Sequence, residues 1–448
     1  MSHAPSANPN SVPADEPRRA RLRLAFDVLA DGVAGGLVPG AVAAVGTAEE
    51  TLYRATYGWA QVTPRTLPLD ALGDTSLSPD VAPSRSRGSE NAIGPPWDTN
   101  RRHDPDVAQP RGVAANALGP PWDTNRRLGG EPLFDLASLT KVVVTTTLCL
   151  RYLEQGGLFL DQRVASVLPA FGAFGKGHVT VRQLLTHTSG LPAWKDLRPP
   201  PGSDGAGLSP LDLALREPLE RAPGAAVVYS DLGFIALGAL LAEIGGAPLD
   251  VLARREVLVP LGMGGARYRP GAIEQGRCVP TEVVPKRGGL IVGDVHDDNA
   301  AAMGGVSGHA GLFAGCQDLE RFCRLWLGLG RLDGQRFLAS ATVHAATRDQ
   351  TDGLSAPALD GSTAPASHRG LGWVLQPNPF WVPCDLCSPR AYSHTGFTGT
   401  SLLIDPDLGI FAVLLTNRVH PTREGGSAAG VRELRGRFHN AVWAALST

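Results

Sequence analysis

Apolar and polar positions repeat with two different periods along this chain, and the switch between them predicts the layout of the fold. Leu22, Phe26, Leu29 and Val33 recur at helical spacing, and Gly35-Gly36 closes that predicted helix. GAVAAVG and TLYRATYGWAQV follow as two strand-like runs joined by a polar turn. From 131 to about 270 the pattern is mainly helical. Helices are predicted over 140–155, over 180–186 behind a Thr180 N-cap, and over 231–245 ending at Gly245-Gly246. Between 371 and 417 the period drops to two, and YSHTG, TSLLIDP and GIFAVLLTN read as successive antiparallel strands. Leu434, Phe438, Val442 and Ala445 mark a last amphipathic helix.

Strands at both ends and helices between them predict an α/β (α+β) fold. One antiparallel sheet forms from the N- and C-terminal segments, is flanked by helices, and carries an inserted, mainly helical lobe at about 142–290. A cleft is expected where sheet and lobe meet, the usual place for a ligand. The reading is a single domain over 18–445, behind a polar, Pro-rich leader at 1–17 that is expected to be disordered. Residues 74–130 break the periodicity and read as a disordered insertion. They carry a near-duplicate: Asn91-Ala-Ile-Gly-Pro-Pro-Trp-Asp-Thr-Asn-Arg-Arg102 returns, with Leu118 for Ile93, at Asn116–Arg127. Two copies are too few for a solenoid. A surface insertion is the preferred reading, and a lid using Trp97 and Trp122 is the alternative.

Composition narrows the class. Hydrophobic residues at 43% and charged residues at 19% suit a globular protein, and a net charge of −2 with mixed signs excludes a nucleic-acid surface. No apolar run reaches the length of a spanning helix and no signal peptide is recognised, so a cytoplasmic location is expected. The six cysteines do not make a disulfide framework. Cys384-Asp-Leu-Cys387 lacks two further ligands for zinc and reads as two thiols or a local disulfide. No metal and no cofactor are called for; the partner expected is a small-molecule or peptide substrate.

Only four of the 41 basic residues are lysines, so a lysine that persists invites the question of whether its proton is used. Lys141 stands three residues after Ser138 in FDLASLTKVVVTTTLCL. With Ser138 at a helix start, Lys141 falls one turn on, and helical side chains tilt it back over the hydroxyl. Free N–H groups there suit an oxyanion, and burial among Phe134, Leu136 and Val142–Val144 is expected to lower the lysine pKa and leave a neutral amine. Tyr229-Ser230-Asp231 precedes a helix; a phenol there can act as general base, or merely pack with Asp231 as N-cap. His394-Thr395-Gly396-Phe397 lies on a predicted strand, where Gly396 allows close approach and the Phe397 N–H can join that of Ser138 as an oxyanion donor. His187 in THTSG reads as a loop-fixing residue, Asp297 and Asp298 as caps, and His309 as a cleft residue without an assigned step. No G-x-S-x-G elbow is present, which disfavours an α/β-hydrolase triad.

Together, S-x-x-K at 138, Tyr-x-Asp at 229 and His-Thr-Gly at 394 resemble the serine β-lactamases and penicillin-recognising peptidases. VRQLLTHTSGLP, GHAGLF and LLTNRVHP are similar to the class C β-lactamase-like group, which includes esterases, D-amino-acid peptidases and cell-wall amidases. The likeness covers about 20–72 and 131–445. It implies a β-lactamase/transpeptidase-like fold and a serine hydrolase working through an acyl-enzyme on an ester or amide. In that scheme Ser138 attacks, Lys141 and Tyr229 share the proton transfers, His394 and Thr395 border the substrate, and Ser138 and Phe397 form the oxyanion hole. Two departures stand out. Asp231 replaces the usual Asn, and a carboxylate only accepts hydrogen bonds where an amide also donates. His394 replaces the lysine common in β-lactamases; the family's peptidases and esterases tolerate His there, so the change argues against an efficient β-lactamase. A β-lactamase and a non-catalytic penicillin-binding-like protein are the alternatives.

Overall fold

The computed structural model describes residues 16–64, 122–127, 131–198, 207–356, 366–378, 382–424 and 427–447. Residues 1–15 of the leader expected over 1–17 and the first copy of the repeat lie outside the described residues, while Glu16 and Pro17, expected to belong to that leader, begin a helix. The elements used below are helices α1 (Glu16–Ala34), α2 (Thr147–Glu154), α3 (Val181–Leu185), α4 (Asp231–Gly245), α5 (Cys316–Leu327) and α6 (Ser427–Leu446). The main sheet has strands β1 (Gly40–Gly46), β2 (Thr51–Pro64), β3 (Trp122–Arg127), β4 (Val374–Leu375), β5 (Tyr392–Thr395), β6 (Ser401–Asp405) and β7 (Ile410–Thr416).

These strands form one antiparallel sheet in the order β4-β5-β6-β7-β1-β2-β3, so the N-terminal hairpin closes against the last strand. Period two explains why both faces are covered. Ala41, Ala43 and Val45 of β1 and Ile410, Ala412 and Leu414 of β7 point to one face, where α1 and α6 bury them with Phe26, Leu29, Leu434 and Phe438. Val42, Ala44, Phe411, Val413 and Leu415 point to the other, toward α5 and the helical segments. Leu22, Phe26 and Leu29 of α1 and the predicted face of the final helix are buried as expected, and Val33 is partly buried at the end of α1.

The structure departs from the sequence pattern at three places. Trp122–Arg127, inside the segment expected to be disordered, is a strand paired with β2. β2 would otherwise leave an open edge of unpaired backbone groups, and this segment covers it. The predicted helix over 140–155 is wound as a π-helix over Lys141–Thr146 before it becomes α2. At 231–245 the helix boundaries agree, but Ser230 rather than Asp231 is the N-cap, its hydroxyl accepting from the Gly233 N–H. Thr180 caps α3 through a reciprocal box with Gln183. The six cysteines are free thiols, and the Cys387 thiol donates to the Cys384 carbonyl at 3.2 Å. Among the described residues no single helix is long and apolar enough to cross a membrane.

Candidate active site

A small second sheet prepares the approach to Ser138. Phe134-Asp135 pairs with Phe313-Ala314, and Leu312-Phe313 pairs with Arg267-Tyr268. The chain then turns sharply: Ala137 adopts a left-handed φ of 46°, a strained setting for a residue with a Cβ. The Asp135 carboxylate accepts from the Ala137 N–H at 2.8 Å and from the His296 N–H at 2.7 Å, which holds that turn. Ser138 follows, just ahead of the first helical turn.

The same stretch is latched to the loop after β5. The Thr398 hydroxyl donates to the Asp135 carbonyl at 2.7 Å, and the Thr400 hydroxyl donates to the Leu136 carbonyl at 3.0 Å. Ser138 is thereby held beside Gly396 and Phe397. Among the described residues neither the Ser138 nor the Phe397 N–H has a protein acceptor, which is the condition for two oxyanion donors. Gly396 has no room for a side chain: a Cβ would lie 2.1 Å from Thr400 Oγ1 and 2.5 Å from the Leu136 carbonyl oxygen.

Lys141 lies beneath the cleft, fully shielded from solvent. Its Nζ is 2.9 Å from Ser138 Oγ, 2.7 Å from Asp231 Oδ1 and 3.3 Å from the His309 carbonyl oxygen. It lies 4.9 Å from the centre of the Tyr229 ring. This corrects the expectation of a neutral amine. Burial works to lower the lysine pKa, but the charge of Asp231, followed by Tyr229, overcomes it, and the pKa is raised above the ordinary value. The apolar neighbours pointed one way; the carboxylate that decides the balance is 90 residues away in sequence. Asp231 lines the cleft, as expected of a substrate-facing residue, but its carboxylate is committed to Lys141.

Tyr229 is placed by the loop containing His187. The His187 Nδ1 accepts from the Ser230 N–H at 3.0 Å, and its ring packs 4.5 Å from that of Tyr229. The Ser230 hydroxyl and the Asp231 N–H donate to the carbonyls of Pro192 and Ala193. His394 sits on β5 with its ring 6.2 Å from Tyr229. Burial, then the charges of Lys141 and Arg369, hold its pKa well below 6.5, so it is neutral. His187 is neutral for the same leading reason.

His309 bridges Ser307 and Asp297, each at 2.8 Å. Burial works to raise the Asp297 pKa, yet the interaction with His309 outweighs it and takes the carboxyl below its usual range. Asp297 also caps the short helix Asp298–Ala302, the role expected of it. Ligand atoms of Asp231, Asp297 and His309 lie within 4.8 Å of one another, a geometry able to hold a metal ion. The Lys141 ammonium, 2.7 Å from Asp231, already supplies a cation there.

A cleft of about 310 Å³ opens over this group. Ser138, Tyr229, Asp231, His394, Thr395, Gly396 and Phe397 all line it, and Lys141 forms its floor contact through Ser138. The structure thus brings together every residue singled out from the motifs. Missed were Asp135, Thr398 and Thr400, which set the turn and the latch, and Arg369, whose buried guanidinium lies 5.3 Å from the Tyr229 ring. None of these four sits in a spacing that marks it.

The sequence profile of the Beta-lactamase family matches residues 26–436. The chain is 32% identical, over 317 residues, to an Escherichia coli (strain K12) protein provisionally named a D-alanyl-D-alanine carboxypeptidase; the match covers 64% of this chain and 69% of the relative. It is 30% identical to an N-acetylmuramyl-L-alanine amidase of Bacillus subtilis (strain 168), over 64% of this chain and 68% of the relative. Its fold is similar to that of a penicillin-binding protein homologue from Caulobacter crescentus, with a TM-score of 0.62, 20% identity, and coverage of 96% and 98% of the two chains.

Proposed function

This chain belongs to the beta-lactamase family of serine hydrolases, and from that premise we propose that it cleaves an ester or amide through a covalent acyl-enzyme on Ser138. The observation that carries the reading is the 2.9 Å contact between Ser138 Oγ and Lys141 Nζ at the floor of the cleft. A hydroxyl, a buried proton carrier, a phenol and two free N–H groups converge there, which is the set acyl transfer requires.

In this reading Ser138 Oγ bonds to the substrate carbonyl carbon, and the oxyanion settles against the N–H groups of Ser138 and Phe397. Lys141 and Tyr229 work as one relay. The pair takes the serine proton and returns it to the departing oxygen or nitrogen; it then takes a proton from water, whose oxygen bonds to the acyl carbon, and returns that proton to Ser138. Because Lys141 rests as an ammonium, the pair accepts the serine proton in the form in which the Tyr229 phenol has first released its own proton to solvent; Lys141 orients Ser138 and stabilises that phenolate, which then takes the serine proton. His394 and Thr395 border the substrate as neutral groups.

The substrate classes favoured are a small ester and an amide bearing a D-amino acid or muramyl group. The names of the two relatives support the amide class, and the neutral His394 in place of a lysine argues against an efficient β-lactamase. The test is a fluorophosphonate probe with peptide mapping, followed by turnover of p-nitrophenyl esters, nitrocefin and muropeptides. Label on Ser138 and turnover abolished in Ser138→Ala are expected. Full turnover in Ser138→Ala would refute the acyl-enzyme. Failure to label, together with tight reversible binding, would favour a binding protein.

A further inference from the structure

Cys384-Asp-Leu-Cys387 has no part in the reaction at Ser138, and the fold sets its thiols apart from the other four. Cys149, Cys278, Cys316 and Cys323 are at most 1% exposed, which makes them inert. Cys387 is the one cysteine that is not buried, and Cys384 beside it is 5% exposed. The Cys387 sulfur folds back to within 3.2 Å of the Cys384 carbonyl oxygen, and the Gln376 side-chain amide donates to it at 2.8 Å. A sulfur held over the residue three positions earlier is within reach of that residue's own thiol. The Cys384 thiol is the first cause that draws Cys387 below the ordinary thiol value; burial and then Asp405 oppose it, and the Gln376 amide supports it. The thiolate is the attacking form in thiol–disulfide exchange. Cys387 is therefore the entry point, and the buried Cys384 is the second partner.

The pair is tied to the cleft on one side and braced on the other. Gln376 directly follows β4, a two-residue strand at the edge of the main sheet paired with β5. Val374 of β4 and Pro383, which precedes Cys384, both line the cleft. The rest of the loop is clamped. Asn440 of α6 accepts from the Asp385 N–H and donates to the Asp385 carboxylate, each at 2.7 Å. Asp405 of β6 accepts from the Ser388 N–H at 2.8 Å and from the Ser388 hydroxyl at 2.6 Å. A bond between the two sulfurs draws Cys387 Sγ away from the Gln376 amide. Because Asp385 and Ser388 are held to α6 and β6, the adjustment falls on Gln376, β4 and Pro383, which is the cleft side.

We propose that Cys384 and Cys387 form a redox-active dithiol, oxidised by a low-molecular-weight disulfide, whose state sets the cleft wall at Val374 and Pro383. The Cys387 thiol gives its proton to solvent, and its sulfur bonds to one sulfur of the disulfide RS–SR. The old S–S bond breaks, and RS⁻ leaves and takes up a proton. Cys384 then gives up its proton, its sulfur bonds to Cys387 Sγ, and the second RS⁻ leaves and is protonated. Two protein thiols are oxidised to one disulfide, and one RS–SR is reduced to two RSH. Excess RSH runs the same steps backwards. The exchange is independent of Ser138; only its kinetic readout rests on the hydrolase reading.

The test treats the full chain with oxidised glutathione and maps its peptides by mass spectrometry. Wild-type protein is expected to lose the mass of two hydrogens and to yield a Cys384–Cys387 disulfide peptide, with the other four cysteines still reduced. Cys384→Ser should instead trap one glutathione on Cys387, and Cys387→Ser should gain none. With an activated p-nitrophenyl ester, oxidised wild type is expected to show KM raised by about threefold or more and kcat little changed, the mark of altered binding. Dithiothreitol should reverse that change. Cys387→Ser should not show it, and its activity when reduced should equal that of wild type. Circular dichroism matching wild type confirms that each variant is folded. A Cys387 that resists glutathione in the native chain, or an adduct formed first on Cys384, would overturn the dithiol whether or not any ester is turned over. A disulfide that forms while KM stays fixed would overturn its link to the cleft. Disulfide formation in a chain whose Ser138 never labels with fluorophosphonate would refute the acyl-enzyme and leave the dithiol standing.

Discussion

Lys141 Nζ lies 2.7 Å from Asp231 Oδ1, both groups being withdrawn from solvent, and this pair decides the resting charge of the site. Without Asp231, burial would be opposed by Tyr229 only, and the balance at Lys141 would move toward the neutral amine. Asp231→Asn keeps the side-chain shape and removes the counter-charge. The ammonium should then be lost at lower pH, so the alkaline limb of kcat/KM is expected to move to lower pH in the variant. Asp231→Ala, which leaves the cation buried and alone, should destabilise the fold by about 3–5 kcal/mol. Rate profiles between pH 5 and 10 and urea titrations check both; an unmoved alkaline limb would show that Lys141 acts through something other than its charge.

Lys141→Arg tests the relay itself. A guanidinium keeps the positive charge facing Asp231 but does not exchange its proton near neutrality. Turnover is expected to fall about 10²-fold or more, with the Ser138 label appearing correspondingly slowly. Near-wild-type turnover in this variant would mean that Tyr229 handles the proton alone.

Ser138, Lys141, Tyr229 and His394 could be read from sequence because each sits in a short motif whose spacing has a local meaning, such as one helical turn or one strand pleat. The two-period pattern likewise exposed β1, β5, β6 and β7, whose alternate residues fill both hydrophobic layers. What stayed hidden depends on contacts between distant segments. The charge of Lys141 is set by a residue 90 positions on. Asp135, Thr398 and Thr400 join two loops more than 260 residues apart. The π-wound turn at Lys141–Thr146 and the strand Trp122–Arg127 satisfy backbone demands of their surroundings rather than a propensity of their own.

Gly396→Ala should separate positioning from chemistry. The new methyl group would meet the Thr400 hydroxyl and the Leu136 carbonyl, the two atoms that latch the oxyanion donors in register. Neither is the loose end of a long side chain, so the strand must shift. A displacement of the order of 1 Å at this position is expected to lower kcat by about 10²-fold while Lys141 and Tyr229 remain in place. Steady-state kinetics with an activated ester checks this, and a variant with unchanged kcat would argue against Phe397 as an oxyanion donor.

Acid sensitivity follows from histidines that fold in the neutral form. Burial, then the charge of Arg435, holds the His439 pKa down to about 3, against an ordinary value of 6.5. His187 and His394 are held well below that value, with burial again the first cause. Above pH 6.5 these groups are neutral in both folded and unfolded chains and have no effect on the balance. As the pH falls below 6.5 the unfolded chain takes up protons that the folded chain refuses, so stability is lost progressively until the folded pKa is passed, near pH 3 for His439. Each such histidine steepens the loss by about 1.4 kcal/mol per pH unit. His439 packs against Phe438 and Trp443, away from the motif residues, so His439→Phe keeps an aromatic ring there and removes the titration. Urea unfolding at pH 7, 6, 5 and 4 should give a slope shallower by about that amount in the variant than in the wild type. Parallel curves for the two proteins would show that the unfolded chain gains no proton at this position.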